Sequence, residues 1–376
     1  MIMHVITDFS GQGGAQAMLA RLVAKSGDRV LVVSLTEVSD RIKSQCANPN
    51  AVLIGLNARS LSSMPRAILQ ISRLIRQYKP QVVLCWMYHA MVIGLIASWI
   101  SGRKVPIYWT VRQALDDTSS FTRSTRIAVD LCRRLSGRCA GIIYNSQRAL
   151  DQHAKNGFAA ARSCVIPNGL VMPQVKLVRN DPPRVFGIAA RFHPQKDHET
   201  LFQALSLALL SVPDLRIIAA GENMSPENSE VQSLLARYNL TADNVELCGD
   251  LHDMAAFYKR IDALVLSSRT EGFPNVIVEA MSYGHPVVST DVGDAVVIIR
   301  DCGLIVPPRN AELLADALVH AANWSAPEYL EKREKARAIV ASTYQLDRIA
   351  AQYRNILESG SLDPDKIASQ PEQKGI

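Results

Sequence analysis

Ala263-Leu264-Val265-Leu266-Ser267-Ser268-Arg269-Thr270 runs into Glu271-Gly272-Phe273-Pro274-Asn275-Val276-Ile277-Val278-Glu279-Ala280-Met281, and the rest of the chain can be read outward from it. An apolar run of strand length stops at two serines, a Gly-Phe-Pro turn follows, and a helix-like apolar pattern begins. Gly272 permits a tight turn, Phe273 is biased towards extended geometry by the proline after it, and Pro274 suits the first helical position. In one continuous helix Glu271 and Glu279 would lie ~12 Å apart along the axis, too far to share a small ligand group. The turn instead puts Glu271 on a loop at the helix mouth and Glu279 on the helix flank. Free amides after Pro274, with the positive end of the helix dipole behind them, are expected to point into the gap. Such a pocket suits an anion with hydroxyls attached.

The same strand–turn–helix rhythm extends in both directions. Towards the N-terminus, strand-like runs are His4 to Thr7, Arg29 to Leu35, Ala51 to Leu56, Gln81 to Met87, Val105 to Val111 and Gly141 to Asn145. Helical periodicity lies between them, as in Ala15 to Lys25, Pro65 to Tyr78 and Thr118 to Leu135. The second half repeats the pattern with strands Arg184 to Ala190, Leu215 to Ala220, Val245 to Cys248, Ala263 to Ser267 and Pro286 to Thr290, and helices over 197–211 and 228–239. Near-continuous Val/Ile/Leu strands separated by helices mean parallel sheets covered on both faces. The fold class is therefore α/β, with two doubly wound Rossmann-like domains: 1–170, then 171–344. A last helix over 345–359 and a polar tail over 360–376 follow. The tail contains proline, has no apolar period and is expected to be disordered.

Ligands of open parallel sheets bind beyond the carboxyl ends of the strands, and polar residues and glycines collect there. In the first half these are Asp8 with Gly11-Gln12-Gly13-Gly14, His89, Arg112 and Asn145. In the second they are Arg191, Gly221-Glu222, Gly249-Asp250, Ser268 to Glu271 and Thr290-Asp291. If the domains face each other, both sets line one cleft. Arg191 and Lys196 are candidate counter-charges for a diphosphate, the arginine through forked hydrogen bonds and the lysine as a compact charge. Gly13 and Gly14 open a helix and resemble a phosphate cradle. The full dinucleotide spacing Gly-x-Gly-x-x-Gly is absent, as is the Gly-x4-Gly-Lys-Ser/Thr loop of ATP-binding proteins. His89, amid apolar residues, reads either as a satisfied core histidine or as a strand-end contact to sugar or acceptor. His153 reads as a core residue.

With these residues in place, the chain resembles glycosyltransferase family 4, the retaining sugar transferases of the GT-B fold. Glu271-x7-Glu279 with Gly272-Phe273-Pro274-Asn275 inside looks like the family's donor-site motif. Ala190-Arg191-Phe192-His193-Pro194-Gln195-Lys196-Asp197 looks like its donor-phosphate segment, and Val165-Ile166-Pro167-Asn168-Gly169 like its interdomain stretch. Pro286 to Gly293 and Cys302 to Pro308 match further downstream, so the likeness is strong over about 165–310 and loose before it. The resemblance implies a donor-binding set of Arg191, Lys196, Glu279, Gly13, Gly14, Gly272, Phe273, Pro274 and Asn275, with Glu279 on the ribose hydroxyls. It also implies catalytic roles for Glu271 and His89, acceptor-side positions for Arg112 and Asn145, and a last helix that crosses back to the first domain. Gln16 and Ala190 depart from the pattern, where many relatives carry glutamate and glycine.

Composition narrows the setting. The chain has 376 residues, 48% of them hydrophobic, and a net charge of +6. Residues 1–172 carry 21 Lys and Arg against 8 Asp and Glu, and the remainder 20 against 27. A basic first half and an acidic second half suggest different partners. Basic residues gather on two helices, with Arg66, Arg73, Arg76 and Lys79 on one. On the other, Arg123, Arg126, Arg133, Arg134 and Arg138 lie beside an apolar face of Ile127, Ala128, Leu131 and Leu135. These are either solvated faces or a docking face for an anionic membrane. No nucleic-acid module is recognisable. The 7 cysteines form no Cys-x2-Cys pair, and the start Met1-Ile2-Met3-His4 lacks a signal peptide's charged region, so a reducing cytoplasm is expected. Val82 to Ile100, 19 residues without formal charge, approaches the length of a membrane span; a buried strand followed by a packed helix is the favoured reading. No metal-ligand constellation appears, and no cofactor or divalent ion is expected.

The expectation is a retaining glycosyltransferase that moves a sugar from a nucleoside diphosphate, with UDP-sugar the leading donor, to a lipid-linked or glycan hydroxyl in bacterial surface-polysaccharide assembly. It would work at the inner face of the cytoplasmic membrane. A nucleotide-sugar epimerase and a non-catalytic nucleotide-sugar-binding subunit are the alternatives. How retention is achieved, and whether Glu271 steadies charge at the anomeric carbon or only binds hydroxyls, stay open.

Overall fold

The computed structural model describes residues 1–11, 13–115, 121–177, 181–251 and 253–363. They form two compact units, Met1–Leu170 with the chain from Leu346, and Val171–Gln345. Gln12 and the tail from residue 364 lie outside the described residues.

The first unit alternates strand and helix from its first residues. In order these are β1 (Ile2–Ile6), α1 (Gly14–Lys25), β2 (Val30–Ser34), α2 (Asp40–Gln45), β3 (Ala51–Gly55), α3 (Met64–Tyr78), β4 (Val82–Trp86), α4 (Tyr88–Ser101), β5 (Ile107–Val111), α5 (Arg123–Leu135), β6 (Gly141–Tyr144), α6 (Gln147–Lys155) and β7 (Ser163–Val165). The seven strands lie side by side in the order β3-β2-β1-β4-β5-β6-β7, and every pairing is parallel. All five residues of β2, β4 and β5 are buried, because helices cover both faces. Met3, Val5, Cys85 and Trp109 face one core; Ile6, Leu84, Trp86 and Tyr108 face the other. Side-chain caps start α2, α5 and α6, where Ser39, Thr122 and Ser146 accept from the amides of Ile42, Thr125 and Ala149; such a cap contributes about 1 kcal/mol.

The second unit contains β8 (Val185–Ala189), α7 (His198–Ala208), β9 (Arg216–Ala220), α8 (Ser229–Arg237), β10 (Val245–Leu247), α9 (Met254–Tyr258), β11 (Ala263–Leu266), α10 (Asn275–Ser282), β12 (Val287–Thr290), α11 (Ala295–Ile299), β13 (Gly303–Val306), α12 (Ala311–Ala322) and α13 (Ala326–Ile339). Its parallel sheet has the order β10-β9-β8-β11-β12-β13. In both sheets the strand order reverses once, between β1 and β4 and between β8 and β11. These are the topological switch points at which doubly wound sheets bind ligands.

Beyond the second unit, α14 (Leu346–Ser359) rejoins the first. Its Leu346, Ile349, Tyr353 and Ile356 are buried, a three-to-four-residue spacing that makes one apolar stripe. The Leu346 amide donates to the Leu170 carbonyl at 2.8 Å. A Cβ on Gly169 would come within 3.0 Å of Ile349, so the crossing helix fits only over a bare backbone. Leu362 packs on the same core as Tyr108 and Ile143, so the chain keeps side-chain contacts past Gly360, where loss of structure is expected from composition.

Other differences are local. Among the described residues the basic helix begins at Arg123 rather than at Thr118, and 118–120 lie outside them. Pro274 stands at the cap position of α10, and Asn275 is the first helical residue. Val82 to Ile100 resolves into β4 and the 14-residue α4. Among the described residues no helix is long and apolar enough to cross a membrane.

Candidate active site

At the second switch point two loops clasp each other. The loop after β8 carries Arg191 to Asp197, and the loop after β11 carries Ser267 to Pro274. Lys196 Nζ lies 2.5 Å from Glu271 Oε1, and the same oxygen accepts from Ser268 Oγ at 2.7 Å. Ser267 Oγ donates to the Lys196 carbonyl, Gln195 Nε2 to the Thr270 carbonyl, and the Arg269 amide to the Gln195 carbonyl, each at 2.8 Å. Asp197 is buried in the left-handed region (φ 53°); it accepts from Arg269 at 2.7 Å and from Thr200 at 2.9 Å. Seven hydrogen bonds thus fix the lysine and the glutamate against each other, with Glu271 9% exposed.

Sequence reasoning puts Lys196 at a phosphate and Glu271 at a sugar, at opposite ends of a ligand. The structure pairs them directly. Charge explains it: an ammonium and a carboxylate withdrawn from water are stable together and costly apart. Arg191 is different. Its carbonyl accepts from His198 Nε2 at 3.1 Å, while its side chain is exposed and makes no ion pair among the described residues. His193, between the two cations, is held below its ordinary pKa by burial and by the charges of Arg191 and Lys196.

Glu279 sits one helical turn into α10, and Tyr258 donates to its Oε2 at 3.1 Å. Tyr258 is 2% exposed and stacks on Tyr283, with ring centroids 5.0 Å apart. Phe273 is buried against Tyr344. The start of α10 has no side-chain cap, which leaves its positive end towards the Gly272 turn. The amides there are not all free, however. That of Asn275 donates to Phe273 and that of Ile277 to Pro274, because Pro274 precedes the helix and folds the chain into a tight turn. Gly293, with φ 51°, backs this loop; a Cβ there would lie 2.9 Å from the Gly272 carbonyl oxygen.

The first unit's switch point carries a second polar set. After β1, Asp8 Oδ1 accepts from Ser10 at 2.8 Å and from Thr36 at 2.5 Å. Burial pushes its carboxyl up, but the hydrogen bonds of Thr36, Ser10 and Gln16 leave it below the usual range. Gly13 and Gly14 follow, and α1 starts without a side-chain cap. After β4, Met87 holds φ 71° and ψ 154°, a combination almost confined to glycine, and the strained turn delivers His89 into the first turn of α4. Burial lowers the His89 pKa although the backbone of Ser124 hydrogen-bonds the ring, so the imidazole is neutral near pH 7.

Arg112, expected on the acceptor side, is engaged by residues of the first unit. Its guanidinium lies over Trp86 at 4.4 Å, donates to Asn168 Oδ1 at 2.8 Å and to the Tyr353 hydroxyl. It fastens α14 and the outgoing chain to the sheet. Asn145 is 2% exposed; its Nδ2 donates to the Arg112 carbonyl at 3.3 Å, and it supports that residue rather than facing a ligand alone. His153 is a core histidine, with 2.8 Å to the Tyr88 hydroxyl and 2.7 Å to the Ala149 carbonyl. Ser268 was visible only as part of a polar strand end. Tyr258 was not visible at all, since an aromatic on a short helix reads as core.

Two family models match this arrangement in sequence: "Glycosyltransferase Family 4" over residues 10–171 and "Glycosyl transferases group 1" over residues 183–323. The chain belongs to the family 4 glycosyltransferases. A crystal structure of Anabaena HepE in complex with UDP and glucose superposes with a TM-score of 0.80 at 22% identity, covering 96% of this chain and 100% of that one. The shared GT-B fold thus extends over both units. Among curated sequences, the family 4 chain is 24% identical over 279 residues to the capsular polysaccharide biosynthesis glycosyltransferase CapM of Staphylococcus aureus, 69% of this chain and 72% of that one. It is 32% identical over 169 residues to an exopolysaccharide phosphotransferase of Streptomyces coelicolor, 43% of this chain but 17% of that one. With two others the match takes in 53% and 41% of the relative, so the chain spans no more than about half the length of these three.

Proposed function

We propose that this chain transfers a sugar, with retention of anomeric configuration, from a UDP-sugar to a hydroxyl of a lipid-linked glycan during bacterial surface-polysaccharide assembly. One observation carries the reading: the Lys196–Glu271–Ser268 cluster at the second unit's switch point, with an exposed Arg191 on the loop of Lys196 and Glu279 on the helix that follows Glu271. A diphosphate brings two negative charges to that place. Arg191 and Lys196 supply counter-charge, and the uncapped start of α10 adds its partial positive charge. Lys196 turning from Glu271 to phosphate leaves the carboxylate facing the sugar. Glu279, held by Tyr258, accepts from the ribose hydroxyls as an acceptor-only group. In the reaction the anomeric bond to the diphosphate breaks, the bond to the acceptor oxygen forms, and the acceptor proton leaves with the diphosphate. His89, neutral near pH 7 and at the first unit's switch point, binds a sugar hydroxyl.

No divalent ion is needed in this scheme, and turnover is expected to survive EDTA. The donor assignment is supported by the HepE structure with UDP and glucose, and the acceptor class by the capsule-building relative. An acceptor of that kind places the chain at the cytoplasmic face of an anionic membrane. The test is thermal-shift screening with UDP, GDP and ADP, then incubation with the matching sugar nucleotides and a lipid-linked acceptor. Release of UDP in step with a glycoside of retained configuration supports the proposal. Epimerised donor, or binding with no turnover, overturns it.

A further inference from the structure

The first unit's sheet has another working end. Where β5, β6 and β7 begin, a groove of about 630 Å³ opens. For strands of five residues it lies ~16 Å from the carboxyl ends that carry His89, Arg112 and Asn145. Its floor is apolar, with Leu95, Ile107 and Ala140. Its rim carries Arg103, Lys104, Arg138 and Arg162, and no acidic residue lines it. All four cations are exposed, and none has an ion pair among the described residues. Arg133 and Arg134 on α5 contrast with them, since Asp130 binds both, at 2.6 and 2.9 Å.

Trp99 stands in the wall of this groove. It is 53% exposed and its neighbour Ile100 48%, whereas Trp86, Trp109 and Trp324 are 2% exposed or less. An indole in water beside unpaired cations and above an apolar floor combines the two anchors of a bilayer interface. The amphipathic ring settles at headgroup depth, and the long cationic side chains reach phosphate while their stems lie on apolar surface. A soluble anion would satisfy the cations and leave Trp99 and Ile100 in water; a phospholipid satisfies both.

We propose that this groove seats the phosphate headgroups of an anionic phospholipid bilayer, with Trp99 and Ile100 entering the boundary between headgroups and acyl chains. The inference rests on the membrane-facing part of the proposed function, and it sets the docking face at the amino ends of β5–β7 rather than on the basic faces of α3 and α5, which the sequence offers as either solvated or membrane-facing. Because the other three tryptophans are buried, indole fluorescence reports the groove directly. The full chain is mixed with phosphatidylglycerol vesicles whose acyl chains are brominated, and with phosphatidylcholine vesicles as control. Quenching by the anionic vesicles alone, abolished in Trp99→Phe, is the expected result. Arg103→Glu with Arg138→Glu should lower vesicle partitioning more than ~25-fold, at roughly fivefold or more per residue, and leave the thermal shift with UDP unchanged. Equal partitioning of that variant, or quenching that persists in Trp99→Phe, overturns the groove. So does saturable binding of glycerol phosphate or an RNA oligonucleotide without vesicle binding. If the unaltered chain ignores all anionic vesicles, the membrane reading falls with it, while UDP release with a soluble acceptor analogue still tests the sugar-transfer reading separately.

Discussion

Two carboxylates eight residues apart have unlike surroundings, and their substitutions should differ accordingly. Glu271 is clamped by Lys196 and Ser268. Glu271→Gln keeps the shape and the acceptor for Ser268 but removes the charge, so turnover should drop ~100-fold or more, and the Lys196 ammonium left without its partner should lower the melting temperature by several degrees. Steady-state rates beside a thermal melt would show this, and unchanged turnover would count against the site. Glu279 is oriented by Tyr258. Tyr258→Phe keeps the stacked ring and loses the hydroxyl donor. A hydrogen bond to a charged group is worth about 1.5–3 kcal/mol, so the KM for the sugar nucleotide should rise by roughly tenfold or more, with kcat little altered. Both glutamates were legible because a proline, a glycine and a strand end fix the turn between them. The direct pairing of Lys196 with Glu271 was not, since a separation of 75 positions says nothing about which two strand-end loops become neighbours. Topology decides that: β8 and β11 lie side by side.

Elements were legible where apolar runs are continuous and invisible where they are short or interrupted. β2 and β4 announce themselves by runs of Val and Leu, and β5 by the β-branched and aromatic residues of Ile-Tyr-Trp-Thr-Val. β7 has three residues and β13 begins at a glycine, too little pattern to separate strand from loop. Pro274 shows the limit of a positional rule. Proline is favoured at the first helical residue, yet here the turn onto Phe273 uses it one position earlier. The loop it belongs to is braced from behind by Gly293, at the carboxyl end of β12. Gly293→Ala would hold a side chain at φ 51° against a left-handed penalty of about 1–2 kcal/mol, and its Cβ would press on the carbonyls of Glu271 and Gly272. The expected result is a melting temperature lower by several degrees together with weaker UDP binding by calorimetry. Loss of stability with unaltered UDP affinity would mean that the brace does not reach the site.

At the scale of the molecule, buried histidines set the acid limit. Burial pushes His285, His198 and His153 down to about 4, and His4 to about 3. Unfolded, each takes a proton below about 6.5; folded, each stays neutral until far lower. Between pH 6.5 and 4 the unfolded chain therefore binds more protons, and stability falls as pH drops; above 6.5 these groups contribute nothing. Melts across pH 4 to 8 should show a steepening loss below 6.5, lessened by His285→Gln, and a flat profile would contradict the burial. Both sheets were readable in advance, but the fastening of α14 by Arg112 and Tyr353 was not, because an arginine at a strand end looks the same whether it awaits a ligand or a helix. That fastening has a consequence during synthesis. Residues 171–345 leave the ribosome before α14 does, which at ordinary elongation rates takes roughly 10–35 s. Throughout that interval the nascent first unit has Trp86 and Ile143 without their covering helix, a window in which a chaperone has something to hold.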